Sequence, residues 1–315
     1  MGGTIHKPGG ATFAPYCLMA CMEIGCDESG AEGEKLIGGV TDVFAHAGVA
    51  LTLDEAEACM DEVRHRAPSP ITEYKAFVIR RAKHRLALQW LLGPRGPLRG
   101  RAHVHLTDKT LFMTRRLSDL VGDDGDRLHR LGPAAFGARW HDLLEAFNDL
   151  MRPYSERPID DVFALVDDLA QAPGEAGDLL RRLAKARPQI EDLRVRLARN
   201  PATAAPLDPL LPAIVRAVEY WGRGRPVTIV HDRQTSLTEE RIDLLRRACP
   251  LEELRLEESH LDARIQVADL LAGIARGIAA DGLHGQGDPL LTGLLAPYVD
   301  ERSVWADGSM WILGG

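Results

Sequence analysis

The sequence predicts an α/β fold: a mixed sheet flanked by helices, with a helical insertion. Strand-like apolar runs alternate with helical periodicity along most of the chain, which is typical of α/β layer folds. The first two runs, at about 21–26 and 34–45, are separated by a short segment rich in Ser, Gly and acidic residues, as in a hairpin. A hairpin makes neighbouring strands antiparallel, so the sheet is expected to be mixed. Between 122 and 224 only helical periodicity remains, and we call this segment the helical block.

The elements up to the helical block follow from capping and breaker signals. Thr52 with Glu55 forms a capping-box pattern that predicts a helix to about Arg66. A basic helix is expected over about 77–92, because its periodic run is closed by Gly93-Pro94. A strand at about 102–106 and a helix at about 110–120 complete this part. Together they form the first part of the core, 21–121.

Several proline-containing breaks divide the helical block. The predicted helices there are 134–151, 159–171, 175–186, 189–199 and 208–221. The second part of the core, 225–280, begins with the β-branched run 226–230, as expected for a buried central strand. A second capping-box pattern, Ser236 with Glu239, predicts a helix to about Ala248. A strand at about 252–258 and a long helix at about 263–280 follow, and the C-terminal tail 281–315 has no assignable pattern.

Composition narrows the class of protein. The chain has 315 residues, 45% of them hydrophobic, and a formal charge of −8, which does not by itself indicate a nucleic-acid binder. Five scattered cysteines do not form a disulfide framework, so reduced thiols and a cytoplasmic location are expected. No apolar run reaches the roughly 18 residues of a membrane span. Residues 1–20 look like a loose lead-in and a poor signal peptide.

Four acidic residues stand at or near the ends of these elements. Asp27 follows the first strand and Asp232 follows the strand 226–230, so both can share one edge of the sheet. Asp27 alone also suits the first position of a type I turn ending at Gly30, and Asp232 also suits a solvated turn. Glu73 precedes the basic helix and is the weakest of the four, because a favourable interaction with the helix dipole already accounts for an acid there.

The last helix supplies the fourth acidic residue. Gln266, Asp269, Gly273 and Arg276 recur on one helix face. A glycine inside a helix costs up to about 1 kcal/mol relative to alanine, which suggests that another element approaches closely at Gly273. An ordinary solvated Asp on an amphipathic helix remains the alternative for Asp269.

Clustered carboxylates repel one another unless a cation neutralises them. A small set of oxygen ligands favours Mg²⁺ or Mn²⁺, and two such ions can support phosphodiester cleavage. A basic stretch could neutralise phosphates, although a solvated basic surface is an equal alternative. No aromatic residues interleave with it for base stacking. The stretch comprises Arg80, Arg81, Lys83, Arg85, Arg95, Arg99, Arg101, Lys109, Arg115 and Arg116.

Three segments together resemble a known bacterial family, the "domain of unknown function 3800" family. They are Asp27-Glu28-Ser29-Gly30, the strand ending at His231-Asp232, and Ser259 followed by the segment Gln266 to Gly273. Glu73-Tyr74-Lys75 and Asp108-Lys109 also match the family's pattern, and the resemblance covers about 22–120 and 225–280.

This resemblance implies a ribonuclease H-like fold and a metal-dependent nuclease-type site. Asp27, Asp232 and Asp269 would be the metal-binding carboxylates, with Glu73 as a further catalytic candidate. The resemblance implies supporting or phosphate-contacting roles for Glu28, Ser29, Lys75, Lys109, His231, Ser259 and Gln266.

The sequence leaves several functions open. The first is a nuclease that binds Mg²⁺ or Mn²⁺ and nucleic acid. The second is a non-catalytic module on the same fold, whose helical block binds nucleic acid, a partner protein or a second copy of the chain. A third is hydrolysis of a nucleotide or another small phosphoester. Carboxylates of Asp27, Asp232 and Asp269 more than about 10 Å apart could not share two ions, which would exclude the first.

Overall fold

A computed structural model describes residues 22–71, 74–201 and 206–305, and its five strands form one mixed sheet. The order across the sheet is β3-β2-β1-β4-β5. β1, β2 and β3 are antiparallel neighbours, whereas β1, β4 and β5 run parallel. The predicted α/β class with a mixed sheet is therefore confirmed. The strands are β1 (Met22–Ser29), β2 (Val43–Val49), β3 (Ala102–Asp108), β4 (Val227–Asp232) and β5 (Leu251–Glu257).

Helices cover both faces of the sheet and form a separate cluster beside it. The described helices of the first half are α1 (Leu53–Arg66), α2 (Ala76–Ile79), α3 (Arg85–Leu92), α4 (Lys109–Asp119), α5 (Gly125–Phe136) and α6 (Ala138–Leu150). Those of the second half are α7 (Ile159–Leu169), α8 (Glu175–Ala184), α9 (Arg187–Arg199), α10 (Leu210–Gly222), α11 (Glu239–Ala248), α12 (Ala263–Leu283) and α13 (Pro289–Leu295). None of the described helices is long and apolar enough to cross a membrane.

Each face of the sheet has its own apolar core. On one face, α12 lies across β1 and β2 with α1 and α3 beside it. On the other face, α10 and α11 pack against Ile24, Cys26 and Ile229. Burial of this apolar surface is the main stabilising contribution to such a layered fold.

The helical block forms a third core. Helices α5 to α9 bury their apolar faces together with α4 and with Leu36 and Ile37 from the loop after β1. Helix α10 lies inside the range assigned to the block, but it packs on the sheet with the second core. Helix α5 was not predicted, although Asp124 caps its start and Gly137 ends it, and the predicted helix 134–151 joins its last residues to α6.

The prediction that Asp27 follows the first strand in a type I turn is wrong. β1 continues to Ser29, and Asp27 pairs with Ala47 in the antiparallel ladder. β2 begins only at Val43, so its residues Ala45 to Val49 pair with Gly25 to Ser29 of β1. The predicted start of β2 near 34 fails because Leu36 and Ile37 are buried in the helical block, where the backbone N–H of Ile37 donates to Asn148 at 2.7 Å.

Two helix predictions also fail locally. The basic helix is interrupted at Arg81, whose extended backbone (ψ 141°) separates α2 from a short 3-10 turn and α3. The capping box at Ser236 does not form, because α11 begins one residue after Thr238 and has no side-chain cap. The capping box at Thr52 is confirmed. The backbone N–H of Glu55 donates to the Thr52 hydroxyl, and the backbone N–H of Thr52 donates to the Glu55 carboxylate.

Candidate functional site

Asp27 and Asp232 lie at the same edge of the sheet because β1 and β4 are parallel. Cys26 pairs with His231 in this ladder, so Asp27 and Asp232 are the next residue of each strand. The carboxyl ends of parallel strands meet at one edge, where side chains of different strands converge. The sequence analysis predicted this shared edge. We call Asp27, Glu28, Asp232 and Asp269 the carboxylate edge.

Asp27 points towards α12. Gly25, two residues earlier on the same side of β1, lies against Arg264 of α12, and side chains alternate between the two faces of a strand. Asp27 is only 5% exposed. Burial is the main cause that raises the pKa of its carboxyl to about 9, followed by the charges of Glu28, Asp269 and, more weakly, Asp232. Four carboxyl groups are therefore close enough to act on one another.

Asp269 reaches this edge from α12. Its Oδ2 accepts a hydrogen bond from Lys75 Nζ at 3.0 Å. One turn further along α12, Gly273 faces α2: a Cβ added there would lie 2.6 Å from the Cβ of Ala76. The close approach expected from a glycine inside this helix is thus present, and α2 is the element that approaches.

The side chains of Gln266 and Asp269 share a cleft with the loop after β5. The cleft measures about 500 Å³ and is also lined by Ser259, His260 and Arg64. Arg64 donates to the amide oxygen of Gln266 at 3.3 Å. The backbone N–H of Ser259 donates to Asp232 Oδ1 at 3.0 Å, so it fixes the orientation of that carboxylate. Gln266 and Ser259 therefore lie beside Asp269 and Asp232, and their supporting role stays a prediction.

Glu28 lies on the opposite side of β1 from Asp27. Gln234 donates a hydrogen bond to its Oε1, while its Oε2 is buried without a hydrogen-bond partner. Burial and then the charge of Asp232 raise the pKa of Glu28 to about 7. His231 Nε2 lies 3.6 Å from Glu28 Oε2, too far for a hydrogen bond.

His231 is fully buried, not on the surface as a histidine at a strand end usually is. Its ring stacks on that of His46 of β2, with centroids 5.4 Å apart. Burial lowers the pKa of both imidazoles, so they are neutral at pH 7. Sequence reasoning missed His46 and Gln234. In the sequence, Gln234 is marked only by its position two residues beyond Asp232. No sequence pattern singles out His46.

Two other predicted residues lie further from Asp27. Ser29 Oγ accepts from Arg276 Nε at 2.9 Å, which joins the end of β1 to α12. Lys109 is buried and bonds to Glu32 at 3.0 Å and to Thr41 at 2.7 Å, rather than to the carboxylate edge. Glu73 falls outside the described residues.

Much of the basic stretch is already neutralised by acidic neighbours, which reduces its capacity to bind phosphates. The ion pairs are Arg80–Asp281, Arg85–Asp288, Arg101–Glu55, Lys109–Glu32, Arg115–Asp126 and Arg116–Asp119.

The donor set of the carboxylate edge has the chemistry of a Mg²⁺ or Mn²⁺ site. Its ligands are carboxylate oxygens, which these ions prefer, and a cation would relieve the repulsion that raises the pKa of Asp27. Across 22–71, 74–201 and 206–305, however, no three His, Cys, Asp or Glu side chains are gathered closely enough to hold a metal ion together. Lys75 contacts Asp269 in this arrangement.

Comparisons of the chain with protein-family models, with curated proteins and with solved structures gave no match.

Proposed function

We propose that this protein is a metal-dependent nuclease that hydrolyses phosphodiester bonds at the carboxylate edge. The observation that carries the proposal is the buried Asp27, whose pKa is raised by burial and by the charges of three neighbouring carboxyl groups. Holding such groups together is unfavourable in the absence of a cation. A structural role gives no reason to place like charges at a sheet edge next to a cleft.

We further propose that the core is ribonuclease H-like. The strand order β3-β2-β1-β4-β5, with three antiparallel strands followed by two parallel ones, supports this assignment. The family resemblance at Asp27, Asp232 and Asp269 points the same way, since it assigns the same three carboxylates.

In the proposed reaction, Asp27, Asp232 and Asp269 would hold one or two Mg²⁺ or Mn²⁺ ions, and their side chains would have to close on the ion from the arrangement seen here. When bound, such ions neutralise charge on the phosphate and activate water for attack. Asp27 must lose its proton to act as a ligand, because burial keeps it protonated at pH 7. Ser259 N–H keeps Asp232 oriented. Lys75, which contacts Asp269, would be close enough to pair with a substrate phosphate if a metal ion took its place at that carboxylate.

The test is a cleavage assay with single- and double-stranded DNA and RNA in the presence of Mg²⁺ or Mn²⁺. We expect Asp27→Asn and Asp269→Asn each to reduce the cleavage rate by at least about a hundredfold, since loss of a metal ligand removes charge stabilisation at the reacting phosphate. A matched control is Asp243→Asn, at an exposed aspartate of α11 that pairs with Arg246.

The two failures of this test have different meanings. Equal cleavage by the wild type, Asp27→Asn and Asp269→Asn would show that the activity comes from a contaminant. No cleavage by any form, with Mg²⁺ or with Mn²⁺, would contradict the proposal and favour the non-catalytic binding module. The Lys75–Asp269 ion pair specifically favours that second function, because it already neutralises one of the carboxylates.

A further inference from the structure

A second cavity lies on the side of the sheet opposite to the cleft of Asp269. It measures about 640 Å³, within the range of roughly 300–1,000 Å³ that is typical of small-molecule sites. The loop after β4, including Gln234 and Ser236, lines one wall. Arg152 and Tyr154, from the connection between α6 and α7, line another. The cavity therefore lies between the edge of the sheet and the helical block.

This cavity adjoins the carboxylate edge at Glu28. Gln234 lines the cavity and also donates to Glu28, the neighbour of Asp27 in β1. Asp208, another lining residue, lies near enough for its charge to contribute to the raised pKa of Glu28. A ligand in the cavity would thus lie beside Glu28, across β1 from Asp27.

Arg152 is the cation of the lining that is most available to an anionic ligand. Its side chain is 42% exposed, and its ion-pair contact with Asp149 is long, at 3.9 Å. Lys109, Arg152 and Arg241 supply positive charge, while Glu34 and Asp208 supply negative charge. Arg241 neutralises Asp208 by a direct ion pair and lies 3.6 Å from Glu34. Burial raises the pKa of Glu34 to about 7, which weakens its negative charge further. Lys109 is paired with Glu32, so Arg152 is the cation of the lining that a phosphate could meet.

Tyr154 gives the cavity an aromatic surface. Its side chain is 84% exposed, which is unusual for so large a ring. Its backbone is in the left-handed region at φ 59°, a conformation that is strained for residues other than glycine. Strain of this kind concentrates at functional positions, where the surrounding structure maintains it. An exposed ring beside a basic side chain is the usual arrangement for stacking a base and binding its phosphate.

We propose that this cavity binds one unpaired nucleotide of a nucleic-acid strand, with its base against Tyr154 and its phosphate near Arg152. The inference rests on the proposed function and names its substrate class: single-stranded or locally unpaired nucleic acid. A nucleotide within an intact duplex cannot enter such a cavity unless its base leaves the stack. The strand would then continue past the carboxylate edge into the cleft of Asp269.

The test measures binding without cleavage, in EDTA, by fluorescence anisotropy of short labelled single strands and of the matching duplex. We expect Tyr154→Ala to weaken single-strand binding by about tenfold, because stacking on the ring is lost. Tyr154→Phe keeps the ring and should stay within about twofold of the wild type. Arg152→Ala should also weaken binding and reduce its salt dependence. Leu86→Ala, at a side chain that is 79% exposed on α3, is the matched control.

Each outcome decides the inference. Unchanged single-strand affinity in Tyr154→Ala, equal losses for single strand and duplex, or no binding by the wild type would overturn it. The nuclease proposal is judged separately by the cleavage assay with metal ions. Tyr154-dependent binding without cleavage would refute the nuclease alone, and cleavage that is indifferent to Tyr154 would refute the nucleotide site alone.

Discussion

The ammonium group of Lys75 lies 3.0 Å from the carboxylate of Asp269, and the elements that carry them are in direct contact. Lys75 immediately precedes α2, and the next residue, Ala76, packs against Gly273 of α12. The position of the lysine over the carboxylate edge is therefore set by the packing of two helices.

Replacing Lys75 with methionine should tighten metal binding. The ammonium competes with a divalent cation for Asp269, and a partly exposed ion pair contributes about 0.2–1 kcal/mol. We therefore expect Lys75→Met to lower the apparent Kd for Mg²⁺ by a factor of about two to five in isothermal titration calorimetry. Arg246→Met, which removes a comparable exposed pair with Asp243, serves as the control. Weaker Mg²⁺ binding in Lys75→Met would mean that the lysine holds Asp269 in its ligating position.

Insertion of a methyl group at Gly273 should displace α2. The new Cβ would lie 2.6 Å from the Cβ of Ala76, which is fixed to the backbone and cannot rotate away. Overpacking of this kind costs about 1–3 kcal/mol, so Gly273→Ala should lower the free energy of unfolding by that amount in urea titrations. The double variant Gly273→Ala/Ala76→Gly removes the clash and should recover most of the loss. No recovery would show that the destabilisation has another origin.

Metal-free protein should lose stability as the pH rises from about 4 to about 9. Burial raises the pKa of Asp27 from 3.8 to about 9 in the folded state. Between these values the unfolded chain has released the proton that the folded chain retains, so stability falls with increasing pH. Asp27→Asn removes this titration and should be more stable than the wild type at pH 8 by more than about 1 kcal/mol. Thermal unfolding in EDTA measures the difference, which should vanish at pH 4.

The C-terminal segment should depend on one buried carboxylate. Asp300 bonds to His103 Nε2 at 2.7 Å and to Arg216. Although burial alone would raise its pKa, these contacts hold the pKa of Asp300 below its usual range. Its contribution to stability is therefore present above the unfolded pKa near 3.8 and is lost as the pH falls below that value.

Asp300→Asn should accordingly reduce the free energy of unfolding at pH 7 by about 3 kcal/mol, the cost of breaking a buried ion pair. The difference from the wild type should shrink below pH 4, as measured by denaturant titrations over a pH series. The exposed neighbour Glu301 provides the control Glu301→Gln. A loss that does not change with pH would mean that the charge of Asp300 is unimportant.

Local patterns predicted the sheet and its shared edge because strands and caps are encoded by neighbouring residues. The apolar run before His231 and the capping box at Thr52 are signals of this kind. The acidic residues were placed together because parallel strands end at one edge. Helical spacing separately gave the face of α12 that carries Asp269.

What depends on distant packing could not be predicted from the sequence. Asp27 lies inside β1 rather than in a turn because Ala47 pairs with it across the ladder. Leu36 and Ile37 looked like part of β2, yet their partners are in the helical block. The contact of Lys75 with Asp269, residues far apart in the chain, is set by the packing of α2 on α12 and leaves no local signal.

The position of β1 at the centre of the sheet has a consequence for how the chain folds. Gly25 of β1 pairs with Val230 of β4, and the whole helical block lies between them in sequence. Closing so long a loop is entropically costly and slows folding. During synthesis, β1 to β3 emerge first and leave one side of β1 without a partner until β4 is made. The helical block, with its own apolar core, can fold in the interval and bring the two halves of the sheet together, so the carboxylate edge is completed last.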